Sequence, residues 1–330
     1  MQADVQEWFS TKTYDGFQWS AAQLVHRKGS ERISVVLPAR NESATIGPIV
    51  SALRSELMEA VPLLDEIVVI DSSSSDDTSA IAAASGATVA HQEDILLGLG
   101  NIPGKGEALW KSLVVATGDI VVFIDADLEE FDPQFAVGLL GPLLADPEIH
   151  FVKSCYDRPL NDGCQVMPAG GGRVTELVAR PLLNMFWPQL AGIVQPLAGE
   201  YAARRRLLEQ IPFVSCYGVE IGMLIDVLAA VGLDGMAQVD LGERRHRNSS
   251  DAALARMATQ VQLTVQSRLV RPGLVPPEPA KADLTQFLRG GGEFIPETTT
   301  IEIAERPPMA SVPEYRASRA RLLAVSELTA

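Results

Sequence analysis

Residues Val121–Phe131 read VVFIDADLEEF, and this stretch decides the fold of the chain. Val121–Ile124 form a continuous apolar run, which predicts a strand buried on both faces. Asp125 and Asp127 follow directly, and two glutamates come shortly after. Because parallel sheets bind ligands at the carboxyl ends of their strands, these acids mark a candidate site.

The same pattern recurs upstream of this stretch. ISVVLP (33–38) and EIVVID (66–71) read as two further buried strands, ATVAH as a weaker one, and the segments between them as helices. This alternation predicts an α/β fold with a mostly parallel sheet covered by helices on both faces. The first strand ends in PARNE (38–42) and the second in DSSSSD (71–76), so we expect these polar ends and the DAD motif to share one rim.

The second half of the chain is mixed. HFVKSCY (150–156) and AQVDLG read as strands, whereas RVTELVARPLLNMFW, YAARRRLLEQI, VEIGMLIDVLAAVG and ALARMATQVQLTVQSRLV read as helices. After about Arg271 the composition shifts to Pro, Gly and Thr, which predicts a tail that is irregular or wraps the body.

Composition limits the function classes. Acidic residues outnumber basic ones 42 to 27, and the net charge of −15 disfavours binding to nucleic acid or to an anionic membrane. No apolar run is long enough to span a bilayer, and the N-terminus lacks the pattern of a secretory signal. The three cysteines cannot all pair and lack zinc-ligand spacing, so we expect a cytoplasmic protein. A phosphorylated substrate would require locally concentrated positive charge.

The DAD motif is the first candidate site. Two carboxylates at i and i+2 repel each other unless a cation lies between them, and Mg²⁺ and Mn²⁺ accept carboxylate, phosphate and water oxygens. Asp125 and Asp127 are therefore interpreted as a metal–diphosphate clamp. The alternative is a solvated acidic turn.

Two further segments offer anion-binding groups. Gly170–Thr175 (GGGRVT) combines free backbone N–H groups at a helix entry with an arginine and a hydroxyl, which suits a phosphate or carboxylate. Lys105 opens a helix between two glycines, which is a good position for a phosphate or ribose contact. A flexible loop with a capped helix and an exposed lysine are the respective alternatives.

The third group of candidates lies further along the chain. LGERRHRN (241–248) is a local positive cluster whose arginines suit a diphosphate and whose His246 suits a metal or a phosphate. A basic surface turn is the alternative. Glu220 opens an apolar helix after Tyr217, where it is either a partner of the helix dipole or an acceptor for sugar hydroxyls.

Taken in order, these segments resemble a known family. The series PARNE, DSSSSDD, PGKGEALW, FIDADL, GGGRVTELVARPLL, QPLAGEYAARR, YGVEIG, LGERRHRN, LTQF and RPPM is similar to the actinobacterial glucosyl-3-phosphoglycerate synthases, from about Ile33 to about Met309. Those enzymes are retaining glycosyltransferases of the GT-A fold, with a Rossmann-like nucleotide-binding half. The resemblance implies an extension at 1–30, a nucleotide-sugar-binding half at 31–150, an acceptor-binding half at 151–271 and a tail at 272–330 that packs on the body or on a partner subunit.

The resemblance also implies an activity. The family transfers glucose from UDP-glucose to the 2-hydroxyl of D-3-phosphoglycerate, as an early step toward methylglucose lipopolysaccharides or compatible solutes. The implied cofactor is Mg²⁺, with tolerance of Mn²⁺ or Co²⁺, and the implied assembly is a homodimer.

Residue roles follow from the same resemblance. The uridine nucleotide would contact Pro38, Ala39, Arg40, Glu42, Ser72 and Lys105, and the metal motif would be Asp125, Ala126 and Asp127, with Asp127 and His246 as the closest metal ligands. Phosphoglycerate would lie on Gly172, Arg173 and Thr175. Glu220 would hold the donor sugar, with Tyr217, Arg244 and Asn248 near the diphosphate and the acceptor. The expected catalytic residues are Asp127, Glu220 and Arg244.

Two departures from the family pattern lie on the nucleobase side. Ser73 stands where a glycine is usual, and Arg40 stands where a leucine is usual. A mannosyl-3-phosphoglycerate synthase that uses GDP-mannose therefore stays open as an alternative. More remote alternatives are a DxD aspartyl phosphatase and a nucleotide-sugar sensor without activity. Since no protein nucleophile is evident, we expect front-face attack with a diphosphate oxygen as the proton acceptor.

Overall fold

The computed structural model describes residues 2–157, 160–161, 166–167, 172–243, 250–269, 281–290 and 293–329. The strands, in chain order, are β1 (Thr13–Asp15), β2 (Ile33–Ala39), β3 (Glu66–Asp71), β4 (Thr88–His91), β5 (Ile120–Phe123), β6 (Phe151–Asp157), β7 (Leu160–Asn161), β8 (Val166–Met167), β9 (Tyr201–Arg204), β10 (Phe213–Val214), β11 (Met236–Glu243), β12 (Lys281–Gly290), β13 (Glu293–Glu302) and β14 (Glu305–Arg306). The α-helices are α1 (Ala3–Lys12), α2 (Ala21–Lys28), α3 (Ile46–Arg54), α4 (Thr78–Ala84), α5 (Lys105–Val115), α6 (Gln134–Ala145), α7 (Arg180–Phe186), α8 (Arg205–Leu208), α9 (Val219–Val231), α10 (Asp251–Leu269) and α11 (Pro313–Thr329). In this part of the chain, no helix combines the length and the apolar character needed to cross a membrane.

Eight of these strands form the central sheet, in the order β1-β11-β6-β9-β5-β2-β3-β4. All neighbours are parallel except β9, which runs antiparallel to both β5 and β6. Ala39 pairs with Asp71 and Val36 with Phe123, so the carboxyl ends of β2, β3 and β5 meet at one edge. The predicted α/β fold with a mostly parallel sheet is confirmed.

Hydrophobic cores lie on both faces of the sheet. Val36 and Phe123 belong to the core under α5 and α9, whereas Val35, Leu37 and Val122 belong to the core under α3 and α6. Because both faces are covered, the inner strands β2, β3 and β5 contain apolar residues at consecutive positions rather than only at alternate ones. Leu37 has no exposed surface, and complete burial of a side chain of this size stabilises the fold by about 2 kcal/mol.

The helix predicted over YAARRRLLEQI is wrong in its first part. Tyr201–Arg204 form strand β9, and only Arg205–Leu208 are helical. Alanine and arginine favour a helix locally, but here tertiary packing decides. The Tyr201 ring lies 5.1 Å from the ring of Phe123 on β5 and 5.7 Å from that of Phe151 on β6, measured between centroids. This strand joins the two parallel parts of the sheet.

The ends of the chain contain more regular structure than expected. The C-terminal part, predicted to be irregular or to wrap the body, forms the antiparallel pair β12–β13, the strand β14 paired with β10, and helix α11. Met309, Val312 and Tyr315 are buried in the core that lies under α5 and α9. At the other end, strand β1 extends the central sheet beside β11.

Candidate active site

A cavity of about 790 Å³ opens at the edge where β2, β3 and β5 end. Its walls also include the start of α5, the segment before α7, the start of α9 and one side of α10. It brings together these residues predicted for the site: Pro38, Ala39, Arg40, Glu42, Ser72, Lys105, Asp125, Ala126, Asp127, Gly172, Arg173, Thr175, Tyr217 and Glu220. Arg244, His246 and Asn248 lie outside the described residues.

Lys105 connects two acids across this cavity. Its Nζ lies 2.5 Å from Asp125 Oδ1, at the end of β5, and 2.9 Å from Glu220 Oε1, in the first turn of α9. Burial alone would lower the pKa of Lys105, but the carboxylates of Asp125 and Glu220 hold that pKa well above its ordinary value. The ammonium therefore stays charged at any physiological pH. It carries a permanent positive charge suited to an anionic ligand.

The backbone around Lys105 is tightly constrained. Gly104 has φ +120°, and a Cβ atom there would lie 2.6 Å from the backbone nitrogen of Cys216. Only glycine combines this conformation with this close approach. The α5 start is thereby packed directly against the segment that leads into α9, which explains how Lys105 reaches Glu220.

The DAD motif follows β5 as predicted. A Cβ atom at Gly199 would lie 2.0 Å from Asp125 Oδ2, so the glycine is required for the carboxylate to occupy its position. Thr45 Oγ1 donates to the Ala126 carbonyl over 2.6 Å and fixes the middle of the motif. Among the described residues, no three His, Cys, Asp or Glu side chains come together as a metal site. Two carboxylates nevertheless fit Mg²⁺ or Mn²⁺, which complete their ligand shells with phosphate and water oxygens.

The segment around Arg173 forms the opposite wall of the cavity. Gly172 has φ +80°, and Thr175 is buried where a π-helical turn, Thr175–Ala179, leads into α7. Arg173 Nη1 lies 2.6 Å from Asp251 Oδ1 at the start of α10. The helix predicted for RVTELVARPLLNMFW is present, although this π turn interrupts its regular geometry.

Several residues that line the cavity were not predicted from the sequence. Gln92 and Asn101 come from the loop before α5, Cys216 precedes α9, and Leu254 and Met257 come from α10. Gln92 and Asn101 are polar residues that follow the weak strand β4, and their polarity after a strand end was the sequence signal that could have identified them. The helical pattern of α10 contained no comparable sign, since Leu254 and Met257 read as ordinary core positions.

The two departures from the family pattern also line the cavity. Ser73 has φ +58°, the left-handed region that favours glycine, and its Oγ donates to Glu93 Oε2 over 2.6 Å. Arg40 is exposed at the end of β2. The backbone conformation at position 73 therefore explains why glycine is usual there. At position 40, arginine places a positive charge on the cavity wall where leucine would be apolar.

A buried lysine lies beneath the site. Lys153 on β6 is 1% exposed, donates from Nζ to the Ala198 carbonyl over 2.5 Å, and lies 4.5 Å from the centre of the Tyr201 ring. Burial lowers the pKa of Lys153 to about 7, despite the opposing effect of Glu220. Burial and the nearby Glu220 raise the pKa of Tyr201 well above its ordinary value. The charged cluster thus extends from the cavity into the core.

Comparison with known proteins gives consistent results. Residues 34–163 match the family model described as Glycosyl transferase family 2. The chain is 45% identical over 305 residues to the glucosyl-3-phosphoglycerate synthase of Mycolicibacterium smegmatis, covering 92% of this chain and 98% of that protein. It is 48% identical over 297 residues to the enzyme of the same name from Mycobacterium tuberculosis, covering 88% and 89%.

Solved structures are similar as well. The crystal structure of mannosyl-3-phosphoglycerate synthase from Rubrobacter xylanophilus matches with a TM-score of 0.84 and 42% identity, over 93% of this chain and 98% of that one. Glucosyl-3-phosphoglycerate synthase from M. tuberculosis, in complex with Mn²⁺, UDP and glucosyl-3-phosphoglycerate, matches with a TM-score of 0.78 and 45% identity, over 90% and 98%. Further structures of that enzyme contain Mg²⁺ with UDP, or Mn²⁺ with UDP-glucose and phosphoglyceric acid.

Proposed function

The chain belongs to the glucosyl-3-phosphoglycerate synthase family of glycosyltransferases, and from this premise we propose that it transfers glucose from UDP-glucose to the 2-hydroxyl of D-3-phosphoglycerate. One observation carries the proposal. The cavity holds the DAD motif and the Lys105–Glu220 pair on one side and the Gly172–Thr175 segment on the other. An anionic donor and an anionic acceptor can therefore meet in one cavity.

The donor is assigned to the side formed by β2, β3 and α5. Pro38, Ala39, Arg40, Glu42 and Ser72 face the nucleoside, and Lys105 and Tyr217 face the diphosphate. The ammonium of Lys105 suits a diphosphate because a partly buried positive charge is less screened than one in bulk water. Glu220 accepts hydrogen bonds from the glucose hydroxyls.

The acceptor is assigned to the opposite wall. Arg173 offers a two-pronged donor for the phosphate or carboxylate of 3-phosphoglycerate, and Thr175 and the backbone of Gly172 add hydrogen bonds. Asn248 is proposed to complete this side and Arg244 to contact the diphosphate, on the ground of family resemblance.

A divalent cation would be held by Asp127 and Asp125, with His246 as a third ligand. We assign Mg²⁺, with Mn²⁺ or Co²⁺ accepted, because relatives bind Mg²⁺ or Mn²⁺ together with UDP. When bound, this cation would neutralise the negative charge of the diphosphate.

The proposed reaction retains the configuration of the sugar by front-face attack. The bond from the anomeric carbon to the diphosphate oxygen breaks, and the 2-hydroxyl oxygen of phosphoglycerate bonds to the same carbon on the same face. The hydroxyl proton passes to an oxygen of the departing diphosphate. Lys105 and Arg244 stabilise the charge that develops on this leaving group. Glu220 is assigned to sugar binding rather than to nucleophilic attack because Lys105 holds its carboxylate at 2.9 Å.

A GDP-mannose-dependent mannosyl-3-phosphoglycerate synthase is the second candidate. The likeness to the enzyme from Rubrobacter xylanophilus favours it, as does Arg40 on the nucleobase side, since a guanidinium can bond to the O6 and N7 atoms of guanine.

A panel of UDP- and GDP-linked glucose and mannose, each with 3-phosphoglycerate and Mg²⁺, tests the proposal. We expect nucleotide release with UDP-glucose, and NMR of the product should show the α-anomer of the donor preserved. Release from GDP-mannose alone would favour the second candidate. Donor binding without release would indicate a sensor, and phosphate release from 3-phosphoglycerate would indicate a phosphatase.

The proposal extends to a cytoplasmic homodimer that acts early toward methylglucose lipopolysaccharides or compatible solutes. Light scattering of the purified chain tests its dimeric state, for which a monomeric mass would be the contrary result.

A further inference from the structure

The RPPM motif, residues 306–309, has no role in the proposed reaction, yet it lies directly behind the donor side of the cavity. Arg306 binds the carboxylate of Glu107 with two hydrogen bonds, from Nε to Oε2 and from Nη2 to Oε1, both 2.8 Å. Its guanidinium lies 5.1 Å from the Trp110 ring centre, and the Trp110 indole donates to the Pro307 carbonyl over 2.9 Å. Glu107 is 1% exposed. The C-terminal segment is thus joined to α5 by a buried charge pair.

A second cation shares Glu107 on the other side. Lys111 has no exposed surface, and its Nζ lies 3.4 Å from Glu107 Oε1. The same ammonium donates to the Gln92 and Gly100 carbonyls over 2.8 and 2.9 Å. Arg306 and Lys111 therefore share one carboxylate as their counter-charge. Removing one member of such a buried group leaves the charge of its partner uncompensated.

Glu107 and Lys111 together hold the loop 92–104. The Ile102 amide donates to Glu107 Oε1 over 3.3 Å. Within the loop, Gln92 Nε2 donates to Asn101 Oδ1 over 2.6 Å, and Gln92 Oε1 accepts from Ser72 Oγ over 2.8 Å. Ser72, Gln92 and Asn101 all line the cavity on the nucleotide side. A continuous series of polar contacts therefore leads from Arg306 to the proposed donor site.

The same C-terminal segment also holds a second wall of the donor side, which leads into α9. Strand β14 pairs with β10, and the Ser215 amide donates to the Ala304 carbonyl over 2.9 Å. Cys216 and Tyr217, which follow directly, line the cavity. Two separate walls of the donor side are thus attached to residues 304–307.

We propose that Arg306 is a positioning residue for nucleotide binding. Through Glu107 and Lys111 it holds the loop 92–104 so that Ser72, Gln92 and Asn101 are already arranged for the nucleotide. Arg306 is absent from the cavity lining, and it acts on the cavity through these neighbours and through its own hydrogen bond, over 3.3 Å, to the Gly100 carbonyl of the loop. The inference rests on the proposed function in one respect, namely that a nucleotide binds at this end of the cavity.

The test compares Arg306→Ala with Met309→Ala. Met309 is fully buried in the same segment, and its side chain belongs to the apolar core, so its loss destabilises the fold without removing the polar series. Calorimetric titration with UDP and with GDP, each with Mg²⁺, gives Kd, and steady-state kinetics separates the donor and acceptor KM values. We expect Arg306→Ala to weaken nucleotide binding about tenfold, while the acceptor KM changes by less than about twofold. Met309→Ala should lower the melting temperature and leave Kd unchanged.

Arg306→Lys is a second test variant, because lysine retains the positive charge but cannot make both hydrogen bonds to the Glu107 carboxylate in the same geometry. It should weaken binding by about threefold, and it keeps the test decisive if Arg306→Ala does not fold. Unchanged nucleotide Kd in the folded arginine variants, or an equal loss in Met309→Ala, would overturn the inference and leave Arg306 a stabilising residue. Binding of GDP alone by the unaltered protein would refute the proposed donor but not the role of Arg306. Binding of neither nucleotide would overturn both.

Discussion

The ammonium of Lys105 lies 2.5 Å from the carboxylate of Asp125, which is also the first acid of the proposed metal motif. The same ammonium contacts Glu220 at 2.9 Å, so one side chain joins the end of β5 to the start of α9. Asp125 and a diphosphate would both attract Lys105. We therefore expect Lys105 to turn from Asp125 toward the diphosphate when donor and cation bind.

Replacing Lys105 with methionine should accordingly impair both binding and turnover. The variant removes a partly buried positive charge and the ion pairs that it makes with Asp125 and Glu220, so we expect kcat/KM for the donor to fall at least about 100-fold. Lys105→Arg should recover part of this loss. Lys28→Met is a matched control, since Lys28 pairs with Asp65 at 2.7 Å outside the cavity lining. Near-normal activity in Lys105→Met would contradict the assigned role.

The second aspartate of the motif should be indispensable. Asp127→Ala removes a proposed metal ligand at the cavity wall, and we expect turnover to fall by about 10³-fold or more in Mg²⁺. Glu130→Ala removes an exposed acid that is absent from the cavity lining and should change turnover by less than about threefold. Chelator should stop the unaltered enzyme, and Mg²⁺ should restore it. Full-speed turnover in chelator would remove the basis for assigning a cation.

Arg173 should distinguish the two substrates. Arg173→Ala removes the two-pronged anion donor on the acceptor wall, so the KM for 3-phosphoglycerate should rise at least about tenfold, while the donor KM stays within about twofold. Asp251→Asn is the control. Asp251 is 91% exposed, so its pair with Arg173 contributes little stability, and its loss should leave the acceptor KM unchanged or lower it. An equal rise in both KM values would argue against placing the acceptor at Arg173.

The sequence predicted those features that local patterns determine. The continuous apolar runs of β2, β3 and β5 could only be covered on both faces, and their polar ends had to meet along one rim. Strand β9 was missed because its local preference is helical, and only its contacts with Phe123 and Phe151 make it a strand. Gln92, Asn101 and the α10 side of the cavity were missed because distant chain contacts, including those of Arg306, bring them there.

The buried Lys153 should make the stability of the fold depend on pH. The charged and titratable groups that affect it are Glu220, Lys105, Glu200 and Asp125. Its pKa is about 7 in the folded chain, compared with 10.5 for the ordinary group, so between these values the unfolded chain binds a proton that the folded chain does not. The contribution of Lys153 to the free energy of unfolding therefore rises with pH across this window, and the destabilising effect is complete below about pH 7.

Lys153→Met removes the titrating group but fills similar space, so the variant should gain most, relative to the unaltered protein, near pH 7. Loss of the bond to the Ala198 carbonyl opposes this gain at every pH. Between about pH 7 and about pH 10, the melting temperature of the unaltered protein should therefore rise relative to that of Lys153→Met. Lys12→Met, which alters a more exposed pair with Asp146, should give a difference that is nearly constant over this range. A pH-independent difference for Lys153→Met would mean that burial does not depress the pKa of Lys153, and that the ammonium beneath the site remains charged.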